Sequence, residues 1–193
     1  MQVEYDVALG REDPALEMPW SSEDGSARFY DVKGHPELVP QIAETEAFSE
    51  LGAFLRRVNA SEFPLQTAKC DIWYSREISA EEEIFGASSK LVSYVDLVFM
   101  ADDARTSFEK HEELAQGLCQ LLQRAPEIAA TVALVIRRCY YHQKDDPGSS
   151  DSTSGFCLTA YVSGFDDSQD GSRKRWAIAL TLLQHALVQV AVT

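Results

Sequence analysis

Two stretches of this chain read as one pattern repeated, and that pattern restricts the fold more than any other property. Residues 90–122 and 155–187 each run from an alternating apolar strand through an Asp-Asp pair into a helix with apolar residues three and four apart. A shift of 64 residues places Asp102 and Asp103 on Asp166 and Asp167, Lys110 on Lys174, Ala115 on Ala179 and Leu118 on Leu182. The strands fit at a shift of 65, with Leu91, Val95 and Leu97 falling on Phe156, Ala160 and Val162, so the two units differ by one loop residue. Each of these strands follows another, TAKCDIWYSR from Thr67 and TVALVIRRCYYHQ from Thr131, both dense in β-branched and aromatic residues. The connecting segments, EISAEEEIFGASS and KDDPGSSDSTSG, are long for hairpin loops.

The expected fold is therefore α+β. It is a two-layer sandwich with an antiparallel sheet of at least four strands and helices on one face, built from a duplicated strand–strand–helix unit. Repeat 1 covers about residues 65–124 and repeat 2 about 129–192, within a single domain spanning 36–193. A helix over 36–58 precedes them, opened by Pro36 and carrying Leu38, Ile42, Leu51, Leu55 and Val58 as its apolar stripe. Residues 1–35, with Pro14, Pro19 and the SSEDGS cluster, read as an irregular acidic segment, with a short edge strand at FYDV, 29–32.

Alternation also sorts side chains between the two faces of the sheet, because successive residues of a strand point to opposite sides. Ala68, Cys70 and Ile72 belong to one face and Lys69, Asp71 and Trp73 to the other. Leu91, Val95, Leu97, Val132, Leu134, Ile136, Phe156, Leu158, Ala160 and Val162 join the first face as its core side. The second face collects Trp73, Tyr94, Asp96, Arg137, Tyr141 and Tyr161 as candidate ligand- or partner-binding residues. Amphipathic rings with a few charges of both signs suit recognition surfaces, since the rings supply area while their polar tips keep partners. Arg137 would take a carboxylate or phosphate, and Asp96 would orient Arg137 or meet a cation. Residues 1–60 or a second copy of the chain are the alternative occupants of that face.

RRCYYH, residues 137–142, is then one strand strip of this face and not a metal site, because Cys139 and His142 point to opposite sides. The four cysteines contain no C-x-x-C pair, and neither zinc-ribbon nor redox spacing is present. DDSQDGSRKRWA, from Asp166, begins like a calcium loop but has Ala177 where a bidentate glutamate is required, so it reads as a helix entry with Asp170 or Ser172 as cap. No nucleophile elbow, dinucleotide fingerprint or P-loop occurs. No catalytic residues, metal or cofactor are expected.

Charge narrows the partners. The chain carries a formal charge of −14, and residues 1–50 hold twelve acidic side chains against Arg11, Arg28 and Lys33. Such a surface repels phosphate backbones and anionic lipid, so nucleic acid and membrane are not expected partners. The start MQVEYDVALGRED has neither the basic beginning nor the apolar core of a signal peptide, so the expected location is cytoplasmic. The last helix has two apolar stripes, Trp176, Leu180, Leu183, Leu187 and Val190 in one, Ile178, Leu182, Ala186 and Val192 in the other. Either the earlier helix covers the second stripe or a homodimer forms through it.

The functional expectation is a non-enzymatic binding or interaction protein whose sheet face takes a small molecule or a protein. One alternative is an acidic inhibitor or immunity-like protein that blocks a basic protein partner through the N-terminal acids and Glu81, Glu82 and Glu83. The other is an enzyme built on Cys139 or on Asp71 and Asp96.

Overall fold

A computed structural model of the chain describes residues 1–22, 24–25, 27–142 and 152–191. Val192 and most of the second long connecting segment lie outside the described residues. The chain opens with strands β1 (Gln2–Ala8) and β2 (Leu16–Met18). A 3₁₀ turn (Pro36–Gln41) and helices α1 (Glu44–Ala47) and α2 (Ser49–Val58) follow. Then come β3 (Leu65–Ser75), β4 (Ser89–Phe99), α3 (Asp102–Arg105), α4 (Phe108–Leu122), β5 (Ala130–His142), β6 (Ser152–Asp166) and α5 (Gln169–Ala191). Among the described residues no helix is long and apolar enough to cross a membrane.

The fold is α+β, and the sheet is mixed instead of wholly antiparallel. Its order is β1-β5-β6-β4-β3, with β2 also pairing β5. The four strands expected from the pattern are antiparallel to their neighbours, but β1 and β2 add to β5 in parallel. Residues 1–35 therefore contain sheet strands, and FYDV at 29–32 is not one of them. QVEYDVA does alternate: Val3 and Tyr5 pack on the core while Glu4 and Asp6 stay exposed. Its acidity disguised a strand whose one apolar row is enough to hold a sheet edge.

The expected single helix over 36–58 is divided into three pieces. Pro40 lacks the N–H that an α-helix needs in its interior, and the first turns are accordingly 3₁₀. Only Ser49–Val58 is a regular amphipathic helix, burying Leu51, Phe54, Leu55 and Val58. Glu50 accepts from Arg173 Nε (3.0 Å) and Nη2 (2.7 Å), a bidentate pair tying α2 to α5.

Helices α2, α4 and α5 share one face of the sheet with its main core. α5 lies against β6 and touches α2 and α4 on its flanks; of its second stripe, Ala186 is buried and Leu182 half-buried. Ile178 remains 48% exposed. Trp176, fully buried, donates its indole N–H to Ser93 Oγ at 2.8 Å, satisfying the one polar atom of the largest side chain in the core. The cap of α5 is Ser168, not Asp170 or Ser172: its hydroxyl accepts from Gly171 N at 3.1 Å. Ser172 instead donates to the Ser168 carbonyl at 3.0 Å.

A smaller second core forms on the opposite face. Leu16 and Met18 of β2 pack with Cys139, Tyr141, Cys157 and Val98, and Trp20, Phe29 and Ala68 pack against them. Lys33 anchors this N-terminal strap by donating to the carbonyls of Ala60 (2.8 Å), Phe63 (2.6 Å) and Leu65 (2.9 Å). Trp20 adds an N–H bond to the Ala68 carbonyl at 2.8 Å. The strap covers one end of the second face and leaves the other end open.

Candidate functional site

The open end of the second face is built by four strands in register. Asp71 pairs with Tyr94, Tyr94 with Tyr161, and Tyr161 with Ala133, so one row crosses β3, β4, β6 and β5. The next row sets Asp96 beside Thr159 and Thr159 beside Val135. Regular pleating puts both rows on the same side, since residues two apart in a strand share a face.

Three rings line this surface. Trp73 and Tyr94 have centroids 6.4 Å apart in an edge-on arrangement, and Tyr94 and Tyr161 are 5.8 Å apart and tilted. Cross-strand aromatic neighbours at such spacing contribute on the order of 0.2–1 kcal/mol each, so the row is held in shape before anything binds. Trp73 is 41% exposed although it is the largest of the three, which leaves apolar ring area in water.

Charge lies beneath and beside the rings. Asp96 is buried to 4% exposure and accepts from Thr159 Oγ1. Burial pushes its carboxyl above the usual carboxylate range, while the Thr159 bond and the charges of Arg137 and Lys69 pull it partly back. Arg137 donates from Nη2 to the Tyr161 hydroxyl and sits with Cζ 5.4 Å from that ring's centroid. Its Nε is buried without a hydrogen-bond partner among the described residues. A buried unpaired donor costs about 1–3 kcal/mol, so this N–H is a local cost of holding Arg137 against Tyr161. Burial, with Asp96 and Asp71 adding repulsion, also pushes the Tyr94 phenol up, so it stays a neutral donor.

Of the six candidate residues, five come together: Trp73, Tyr94, Asp96, Arg137 and Tyr161. Tyr141 is separated from them. It lies beside Met18 of β2 at 9% exposure, with its hydroxyl donating to the Phe156 carbonyl at 2.6 Å, and serves the second core. Alternation placed it on the right face, but which part of that face the strap covers is a long-range fact. Lys69 and Thr159 join the site; both sit on the face that alternation assigns them, and their small or flexible side chains give no further signal. β3 departs from alternation at an irregularity between Thr67 and Cys70, so Ala68 packs under the strap instead of beside Cys70 and Ile72.

Other candidate chemistries meet their surroundings plainly. Cys139 is fully buried in the second core beside Leu16 and Met18. Asp71 is exposed and accepts from its neighbour Ile72 N, apart in environment from buried Asp96. Glu82 is no free acidic tip: Lys90 Nζ contacts its carboxylate at 2.6 Å, and Phe85 stacks on Phe165 at 4.5 Å, folding that segment back on the sheet. His142 pairs with Glu17 across the strap.

Fold and face together define an α+β protein with an open, ring-lined sheet surface. No family model, no curated protein and no solved structure matches this chain.

Proposed function

We propose that this is a non-enzymatic binding protein that recognises a protein partner through the open sheet face. The observation that carries the reading is the Trp73–Tyr94–Tyr161 ring cluster, Trp73 exposed and both tyrosines half-buried, beside the buried Asp96 carboxyl. The rings of Trp73, Tyr94 and Tyr161 lie across neighbouring strands of one sheet face, and a row of aromatic side chains with charges at its edge suits a protein contact. Exposed Asp71 on β3 and Glu4 and Asp6 on β1 flank the rings, so a cationic rim on the partner fits best. Trp73 is the anchor by area.

The duplication belongs to this proposal. The 65-residue shift maps Val95 onto Ala160, and those two residues are register partners. A duplicated hairpin closing on its copy about a local twofold axis would produce that pairing and would place Tyr94, Asp96, Thr159 and Tyr161 around the axis.

Photo-crosslinking tests the reading. With benzoylphenylalanine replacing Trp73, a discrete adduct is expected in the source cells, and Tyr94→Ala or Arg137→Gln should remove it. The same probe at Ile84, exposed but off this face, should yield no such adduct. An adduct that survives both substitutions, or that forms equally from Ile84, refutes the site.

A further inference from the structure

A second site lies under the strap, away from the ring-lined face. The cavity of about 720 Å³ there has an apolar wall of Met18, Phe29, Met100 and Tyr141, and its size is that of pockets which enclose small organic ligands. Two polar groups in its lining are left with capacity. Gln66 is 8% exposed, and its side-chain amide has no hydrogen-bond partner among the described residues. Arg105 is held in place rather than loose: Nε donates to the Phe99 carbonyl at 2.7 Å, Nη1 to Asp102 at 3.1 Å, and Cζ sits 5.2 Å from the Tyr141 ring centroid. Its Nη2 has no partner among the described residues.

We propose that this cavity binds a small organic carboxylate with an apolar body. The Gln66 amide opens to the cavity with no protein partner among the described residues, and a guanidinium pinned on two of its nitrogens is pre-organised to offer the third. A carboxylate answers both, accepting from Arg105 and from the Gln66 NH₂ group, while its body covers Met18, Phe29 and the Tyr141 ring. A cation would face Arg105, and the two acids of the lining are already engaged, Asp31 by Gly34 N and Asp102 by Arg105; a neutral apolar molecule would offer the Gln66 amide no acceptor. The proposal stands independently of the sheet-face reading, because the two sites share none of these side chains.

The test uses the full chain and three probes of one shape: naphthoate, neutral naphthylmethanol and cationic naphthylmethylammonium, titrated calorimetrically. Naphthoate should bind saturably, with the other two weaker by about tenfold or more, the usual weight of a charge-assisted bond. Arg105→Gln should weaken naphthoate by a similar factor. Gln66→Leu removes an amide that has no partner to lose, so it keeps the fold and should still weaken naphthoate about threefold to tenfold. Equal binding of all three probes, no saturable binding, unchanged affinity in Gln66→Leu, or loss in Trp73→Ala instead would each overturn the assignment.

Discussion

Replacing Gly164 by alanine would set a methyl group against the backbone of α5. A Cβ built there would lie 2.2 Å from Trp176 N, 2.4 Å from the Ser172 carbonyl oxygen and 2.8 Å from Trp176 Cα. Ordinary contact begins near 3.4 Å, so strand and helix must part by about an ångström, and no side chain can swing aside to spare them. Separation on the order of 0.5–1 Å forfeits a quarter to a half of each dispersion contact. The contacts at risk are those of Trp176, Ala179 and Leu183, all fully buried, and the Trp176 bond to Ser93. Overpacking usually costs about 1–3 kcal/mol, and a backbone-to-backbone clash belongs at the upper end. For a chain of this length about 3 kcal/mol corresponds to a fall in Tm of roughly 6–12 °C. Gly117→Ala is the internal comparison, because its Cβ would meet the Val190 side chain (Cγ1 at 2.8 Å) and that residue can move. Alanine also gains about 0.8–1 kcal/mol of helix propensity over glycine, so this variant should melt within a few degrees of the parent. Thermal unfolding followed by circular dichroism decides the matter. If Gly164→Ala melts within a degree of the parent, the close approach of β6 to α5, and the packing argument built on it, is wrong.

The remaining predictions concern charge and the strap. Asp96 has its carboxyl raised by burial, so the native state favours the protonated form; the stability it contributes is fully present at acid pH and is lost as pH rises through the folded-state value. Asp96→Asn keeps an oxygen for Thr159 and should raise Tm at pH 8 more than at pH 5, as melts at the two pH values would show; an equal shift at both would contradict the argument. Lys33→Met leaves three carbonyls without their donor and should cost about 1.5–3 kcal/mol, with faster proteolysis within residues 1–35 than in the parent. Unchanged cleavage there would mean that Leu16 and Met18 hold the strap alone.

Much of the layout is written locally. Period-two alternation identified all four antiparallel strands and assigned Leu91, Val95, Leu134 and Ala160 to the core and Trp73, Tyr94 and Tyr161 to the far side, because a strand's geometry alone decides which side chains share a face. Helical spacing did the same for α4 and α5, and the two apolar stripes of α5 announced that it needed cover on more than one side. Pro40 was also legible, as a residue that cannot sit inside an α-helix, although the stripe from Leu38 to Val58 masked it.

Other features depend on which distant segments meet. QVEYDVA becomes a parallel edge because β5 offers it a partner more than a hundred residues away, and no local pattern names that partner. The same holds for Tyr141 and Cys139: alternation puts them with Tyr161, but β2 and the strap fastened through Lys33 and Trp20 take them into a second core and leave Trp73 exposed and Tyr94 and Tyr161 half-buried. Sequence by itself determined the faces of the sheet, since side-chain direction follows from the pleat. Only the tertiary structure decided how much of one face stays open, since cover is a matter of long-range packing and of the few hydrogen bonds that hold the strap in place.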